Sequence, residues 1–175
     1  MIQTVKTITQ NKVIQKILTI SFILTMSIIY PFIFHLFGIA GNVFLPIFLF
    51  VILGANYLDF KTIFSIAILV PLLNYLFTGM PIVAPMPILQ MLTLELGMLI
   101  IFLKIFEKVN YLNIFSRIFS FIFARASSLI LILFFENFTF NFWIKNFKIG
   151  IIGIVLNVLI VEFVLKIFRN RKKEY

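Results

Sequence analysis

The chain has 175 residues, 62% of them hydrophobic and 12% charged, with 24 Phe, no Cys and a formal net charge of +9. Soluble domains run at about 45–50% apolar and about 25% charged residues, so this balance excludes a cytosolic enzyme, a disordered tail and a disulfide-stapled secreted domain. An integral membrane protein remains, and at roughly 20 apolar residues per spanning helix, with short loops, about six helices fit.

The first apolar run covers residues 13–34 and follows a basic leader with Lys6, Lys12 and Lys16. Signal-peptide cores are roughly 7–15 residues and end at a small-residue cleavage site. This run is longer and no such site follows between His35 and Asn42, so it reads as a retained helix. The second run, 45–57, is short and places Pro46 in a first helical turn. Asn56, Asp59 and Lys61 then mark a turn into the third run, 62–77, in which Pro71 predicts a kink. Thr78 to Pro87 reads TGMPIVAPMP, an uncharged break that predicts a loop packed back on the protein.

The fourth run is 88–106, ended by Glu107, Lys108 and Asn110, and the fifth is 114–135. A polar-aromatic stretch from Glu136 to Lys148, with Trp143, suits a membrane interface. The sixth run is 149–168, and the basic RNRKKEY follows it. The expectation is therefore an all-α integral membrane protein with six transmembrane helices in a single domain, 1–175.

Six crossings put both ends of the chain on one side, with the 2–3 and 4–5 turns. That side collects twelve of the 15 Lys and Arg, among them Lys16, Lys61, Lys104, Lys108, Arg117 and Lys166, whereas the other holds Lys145 and Lys148. The positive-inside rule then makes the N and C termini cytoplasmic. The basic charge is an orientation signal, helped by anionic lipid, rather than a nucleic-acid footprint.

Charges inside a span cost about 2.5–3.5 kcal/mol each on insertion scales, so each needs a reason. Glu95 lies seven residues into the fourth run and Arg125 ten residues from the end of the fifth. Their depths differ by about 5 Å, close enough to pair across neighbouring helices. Two readings stand: a structural ion pair that fixes helix register, or a polar cavity facing outward. Gln90, Asn74 and Asn157 sit at compatible depths, and each could also hydrogen-bond a neighbouring helix. Glu162, with Lys166 four residues on, reads as a structural helical pair. Ser21 and Thr25, four apart and small on the first helix, allow close approach of another helix.

One His and no Cys exclude a His/Cys metal site within the chain, and no cofactor is implied. GxSxG, HExxH and P-loop signatures are absent, so the chain is not read as an enzyme, and any ATP-driven step needs another subunit.

Four segments resemble one family. They are PFIFHLFGIAGNVFLPIFLFVILG at Pro31–Gly54, PLLNYLFTGMPIVAPMPILQMLTLELG at Pro71–Gly97, FAR at Phe123–Arg125, and GIIGIVLN at Gly150–Asn157. Together these resemble the substrate-binding S component of energy-coupling factor (ECF) vitamin transporters. The chain departs from the pattern at Ala124, Ile152 and Asn157, where the family usually has Gly, Pro and Gln, and at Ile47-Phe48, where Met-His is common.

The resemblance implies a six-helix subunit of a bacterial cell membrane that captures a vitamin-like small molecule on the outer face. Its pocket would draw on Asn74, Thr78, Met80, Gln90, Met91, Glu95, Arg125 and Asn157, under lids formed by the first and third outer loops. Ser21 and Thr25 would map to the motif that docks a transmembrane coupling subunit carrying two ATPase subunits. An Arg and a Glu on one cavity would suit a carboxylate that also bears a polar or amine group. The alternative is a non-transporting six-span scaffold, similar to rod-shape determination proteins, which needs no sealed pocket.

Overall fold

A computed structural model describes residues 2–38, 41–108 and 114–171. The turn at Asn110 and the basic Lys172 and Lys173 lie outside the described residues, as do the side chains of Lys6, Lys12, Arg169 and Arg171. The described residues are all-helical: α1 (Ile2–Leu36), α2 (Gly41–Phe44), α3 (Pro46–Ala55), α4 (Phe60–Thr78), α5 (Ile88–Lys108), α6 (Ile114–Ser127), a 3-10 segment (Ser128–Leu133) and α7 (Phe140–Arg171).

Five helical stretches are long and apolar enough to cross a membrane: Val13–Leu36, Phe60–Thr78, Ile88–Lys108, Ile114–Leu133 and Phe140–Phe168. Their outer faces present large apolar side chains, such as Leu76, Phe77, Phe119, Leu133 and Phe163. Water would not tolerate so broad an apolar surface, whereas lipid matches it. The chain is a multi-pass membrane protein.

The second run differs from expectation. It forms only the ten-residue α3, about 15 Å long, where a bilayer core is about 30 Å thick. Leu45 takes a left-handed conformation (φ 50°) directly before Pro46, which ends the helix abruptly on that side. Eight of the ten residues are buried, Phe48, Val51 and Ile52 completely, so α3 is a core helix that is apolar on every face. It packs against α1, α4, α5 and α7, and Phe48 meets Phe121 of α6 with ring centroids 5.4 Å apart.

Two boundaries also move. The fifth run keeps α-helical geometry only to Ser127, because the Ser127 and Ser128 hydroxyls bond the carbonyls of Ala124 and Arg125 three residues back. The sixth run begins at Phe140 rather than 149, since the Thr139 hydroxyl accepts from Phe142 N at 3.2 Å and caps a helix there. The polar-aromatic stretch is thus a short turn, 136–139, followed by the first turns of α7. Pro71 stays inside α4.

At the end of the bundle opposite Thr78, the Asp59 carboxylate caps α4, accepting from Thr62 N at 3.2 Å and from Lys16 Nζ at 2.5 Å. Glu162 pairs with Arg117 of α6, not with Lys166 as its spacing suggested. Arg117 is 1% exposed and needs a compensating charge, whereas a cation at a helix surface can be hydrated. Asn56 Oδ1 accepts a second Arg117 bond at 3.0 Å.

Candidate functional site

A cavity of about 400 Å³ lies at the Thr78 end of the bundle, directly beyond the N terminus of α3. Every α-helix contributes at least one residue near an end. Pro31 and His35 come from α1, Leu45 to Ile47 from the start of α3, and Asn74 and Thr78 from the end of α4. Met91 and Leu92 come from the first turns of α5, Arg125 from the last turn of α6, and Phe142 and Asn146 from α7, with Gly41 of α2 at the margin. The TGMP loop folds back as expected, and Met80, Pro81 and Ile82 close one side. Leu89 N donates to Ile82 O at 3.3 Å, and Thr78 Oγ1 accepts from Met80 N at 3.2 Å, so both ends of that closure are hydrogen-bonded.

Arg125 is the charged group of the buried wall, 3% exposed. Its Nη1 lies 3.3 Å from Oε2 of Glu95, which is fully buried on α5. The other Glu95 oxygen lies 3.0 Å from Ser128 Oγ, and Trp143 Nε1 donates to both Ser128 Oγ and Arg125 O at 3.1 Å. Arg125 Nη2 donates to Asn146 O at 3.2 Å. The pair joins α5 to α6 and is wired into two further elements, the 3-10 segment and α7.

Local sequence explains why the guanidinium fits. A Cβ at Gly150 would stand 3.2–3.4 Å from Cζ, Nη1 and Nη2 of Arg125, so the absent side chain leaves the flat space that the guanidinium covers. One turn on, a Cβ at Gly153 would stand 2.4 Å from Val43 O, which lets the backbone of α2 press against α7. Asn157 then donates to Phe44 O at 3.0 Å and to Leu45 O at 3.3 Å, the second of which also accepts from Phe48 N, so the turn at Leu45 is pinned to α7. Gly150, Gly153 and Asn157 share one face of α7 and act as a seat, first for Arg125 and then for the floor of the cavity.

Of the expected site residues, Asn74, Thr78, Met80, Met91 and Arg125 line this cavity, and Glu95 stands behind Arg125. Asn157 supports the floor from outside. Gln90 is not brought to the cavity: it lines a separate groove between α4 and α5 with Phe64, Ile68, Thr93 and Gly97. The five-residue spacing from Gln90 to Glu95 turns the two side chains to different faces. Ser21 and Thr25 are exposed on α1.

Comparison with protein-family models, curated proteins and solved structures finds no match to this chain. The site is read from its own geometry.

Sequence reasoning missed Ser128, Trp143 and Asn146. A signal existed: Thr139, Trp143, Asn146 and Gly150 recur at four, three and four residues, which is one face of a helix. Assigning that stretch to an interface hid the periodicity.

What the arrangement can do follows from its composition. A cavity of this size, apolar for the most part and carrying a few fixed polar groups, suits a small molecule. It has the materials for binding, with the Arg125 cation, the Asn74 and Asn146 amides, the Thr78 hydroxyl and the His35 ring around a mainly apolar space.

Proposed function

We propose that this chain is the substrate-binding S component of an ECF-type transporter, capturing a vitamin-like small molecule from the outer side of a bacterial cell membrane. The observation that carries the reading is the cavity itself, placed at one end of the bundle with the proline-rich loop along one side and the α2–α3 turn as its floor. A scaffold has no use for a cavity with a buried cation in its wall, so the cavity favours a binder. The four sequence segments that resemble the family support it further, since they supply the α2–α3 floor, the loop, Glu95, Arg125 and the Gly150–Asn157 seat.

On this reading the chain has no ATPase of its own and docks, through the Ser21 and Thr25 face of α1, on a transmembrane coupling subunit with two ATPase subunits. Both termini lie in the cytoplasm and the cavity opens outward. The experiment is twofold. Thermal unfolding of the purified chain in detergent is measured against a panel of vitamins and precursors, and the tagged chain is isolated from its native membrane to identify what accompanies it. Ligand-dependent stabilisation with a co-purified coupling subunit is the expected result. No shift with any vitamin or precursor, together with no coupling subunit, overturns the proposal.

A further inference from the structure

We infer that the ligand of this cavity meets Arg125 with an uncharged carbonyl or carboxamide end, and not with a carboxylate or phosphate. The inference deepens the proposed binding role and rests on it.

The argument starts from charge balance. Arg125 would ordinarily mark an anion site, because guanidinium matches carboxylate geometry so well. Here its charge is already matched. Glu95 lies 3.3 Å away, and neither residue reaches solvent to any useful extent, at 0% and 3% exposure. The pair sums to zero. An incoming anion would leave one uncompensated negative charge among buried helices, and that penalty exceeds the net gain from a charge-assisted hydrogen bond. The remaining ionisable group of the wall, His35, is exposed on α1 and makes no ion pair with Glu95.

Hydrogen-bonding capacity, by contrast, is left over. A guanidinium has five N–H donors. Among the described residues Nη2 donates one hydrogen bond, to Asn146 O, and keeps a second N–H, whereas Nε and Nη1 are themselves buried and Nη1 faces Glu95. A neutral carbonyl can use such capacity without disturbing the charge balance.

The second polar wall group completes the pattern. Asn74 commits its amide nitrogen to Ser27 O and Val70 O, both at 3.0 Å, and among the described residues its Oδ1 accepts nothing. Arg125 therefore offers a donor and Asn74 an acceptor to the same cavity, the complement of a ligand that carries C=O and N–H, as in an amide, lactam or ureide. Leu45, Ile47, Ile82, Ile88, Leu92 and Phe142 form the rest of the enclosure and suit an apolar body.

The test uses the full chain in detergent at neutral pH and three matched probe pairs: nicotinamide and nicotinate, benzamide and benzoate, phenylacetamide and phenylacetate. The unfolding midpoint is followed as each probe is raised to millimolar concentration. At least one amide is expected to stabilise the protein, with its carboxylate at least about tenfold weaker in apparent affinity. A carboxylate equal to or tighter than its amide overturns the inference, and so does a panel in which no amide shifts the midpoint.

Two variants add readouts that a purely structural role would not move. Glu95→Gln leaves Arg125 uncompensated and should reverse the preference towards carboxylates. Arg125→Lys keeps a cation for Glu95 but removes the fork, and should abolish the amide shift. An unchanged preference in a folded variant of either kind counts against the inference, and the wild-type comparison stands even if neither folds. Amide selectivity without a co-purified coupling subunit would uphold this inference and count against the docking part of the transporter reading. Carboxylate preference with a coupling subunit present would do the reverse.

Discussion

At the scale of single residues, the Glu95–Arg125 pair is where stability and function meet. Removing one member strands a buried charge, which costs about 3–5 kcal/mol, whereas replacing both by apolar side chains of similar volume is often close to neutral. Arg125→Met should therefore lower the unfolding midpoint steeply, and Glu95→Leu/Arg125→Met should recover most of the loss; the double-mutant cycle in detergent checks this. A pair whose double replacement is as damaging as either single change would not be acting through charge compensation. Glycine positions give a second ordering. Gly153→Ala drives a Cβ to 2.4 Å from a backbone carbonyl, while Gly54→Ala meets only the methyl ends of Ile63 and Ile23 at 2.7–2.8 Å. Overpacking costs about 1–3 kcal/mol, and the first substitution should fall at or above the top of that range and the second below it. Glu95 and Arg125 were legible in the sequence because a charge in an apolar run has no lipid-facing explanation. Ser128 was not, since a hydroxyl near a helix end has many ordinary uses, while Asn146 was signalled only by its spacing from Trp143 and Gly150.

At the scale of elements, the legible parts were the long runs, and the illegible parts were their ends. Hydropathy locates α1, α4, α5 and α7 because each must match the lipid over four or more turns. It says nothing about the Ser127 and Ser128 hydroxyls that convert the end of α6 to a tighter helix. It also misjudged α3, because a run that is apolar all round looks the same whether lipid or protein surrounds it. The join between α1 and α4 offers a test by pH. The Lys16 ammonium beside Asp59, with the Thr62 backbone and hydroxyl, holds the Asp59 carboxyl well below the usual carboxylate range. A depressed folded-state value means that the contribution is fully present above about pH 4 and fades as pH falls towards the folded-state value. Asp59→Ala should thus lower the midpoint at pH 7, and the difference from wild type should shrink on acidification below about pH 4. The contact is exposed, so added salt should reduce the same difference. At Glu162, choice of partner was decided by burial rather than by spacing along one helix. Lys166→Ala should accordingly change stability by no more than about 0.5 kcal/mol, measured by the same unfolding assay.

At the scale of the whole molecule, the distribution of cations makes a topological prediction. Lys16 and Asp59 are bonded at the end of the bundle away from the cavity, and Lys104 pairs with Glu107 at the far end of α5. Lys145 and Lys148 lie in the early turns of α7, on the cavity side. Because the chain has no Cys, single cysteines report without background. Lys145→Cys should react with a membrane-impermeant maleimide in intact cells, and Lys61→Cys only after permeabilisation; the opposite pattern would invert the proposed orientation. The brevity of α3 has a wider consequence. Its ten residues fall about 13 Å short of the nineteen-residue α4 beside it, and the chamber occupies that missing length. The space is thus not carved from a core but left over where a central pillar stops early. Its floor is set by how Gly41 to Pro46 turns the chain, and the walls belong to helices held together further down. A lineage could retune what the chamber accepts by editing that short turn, adding or removing bulk above the pillar, while the lipid-facing shell and the buried column stay untouched.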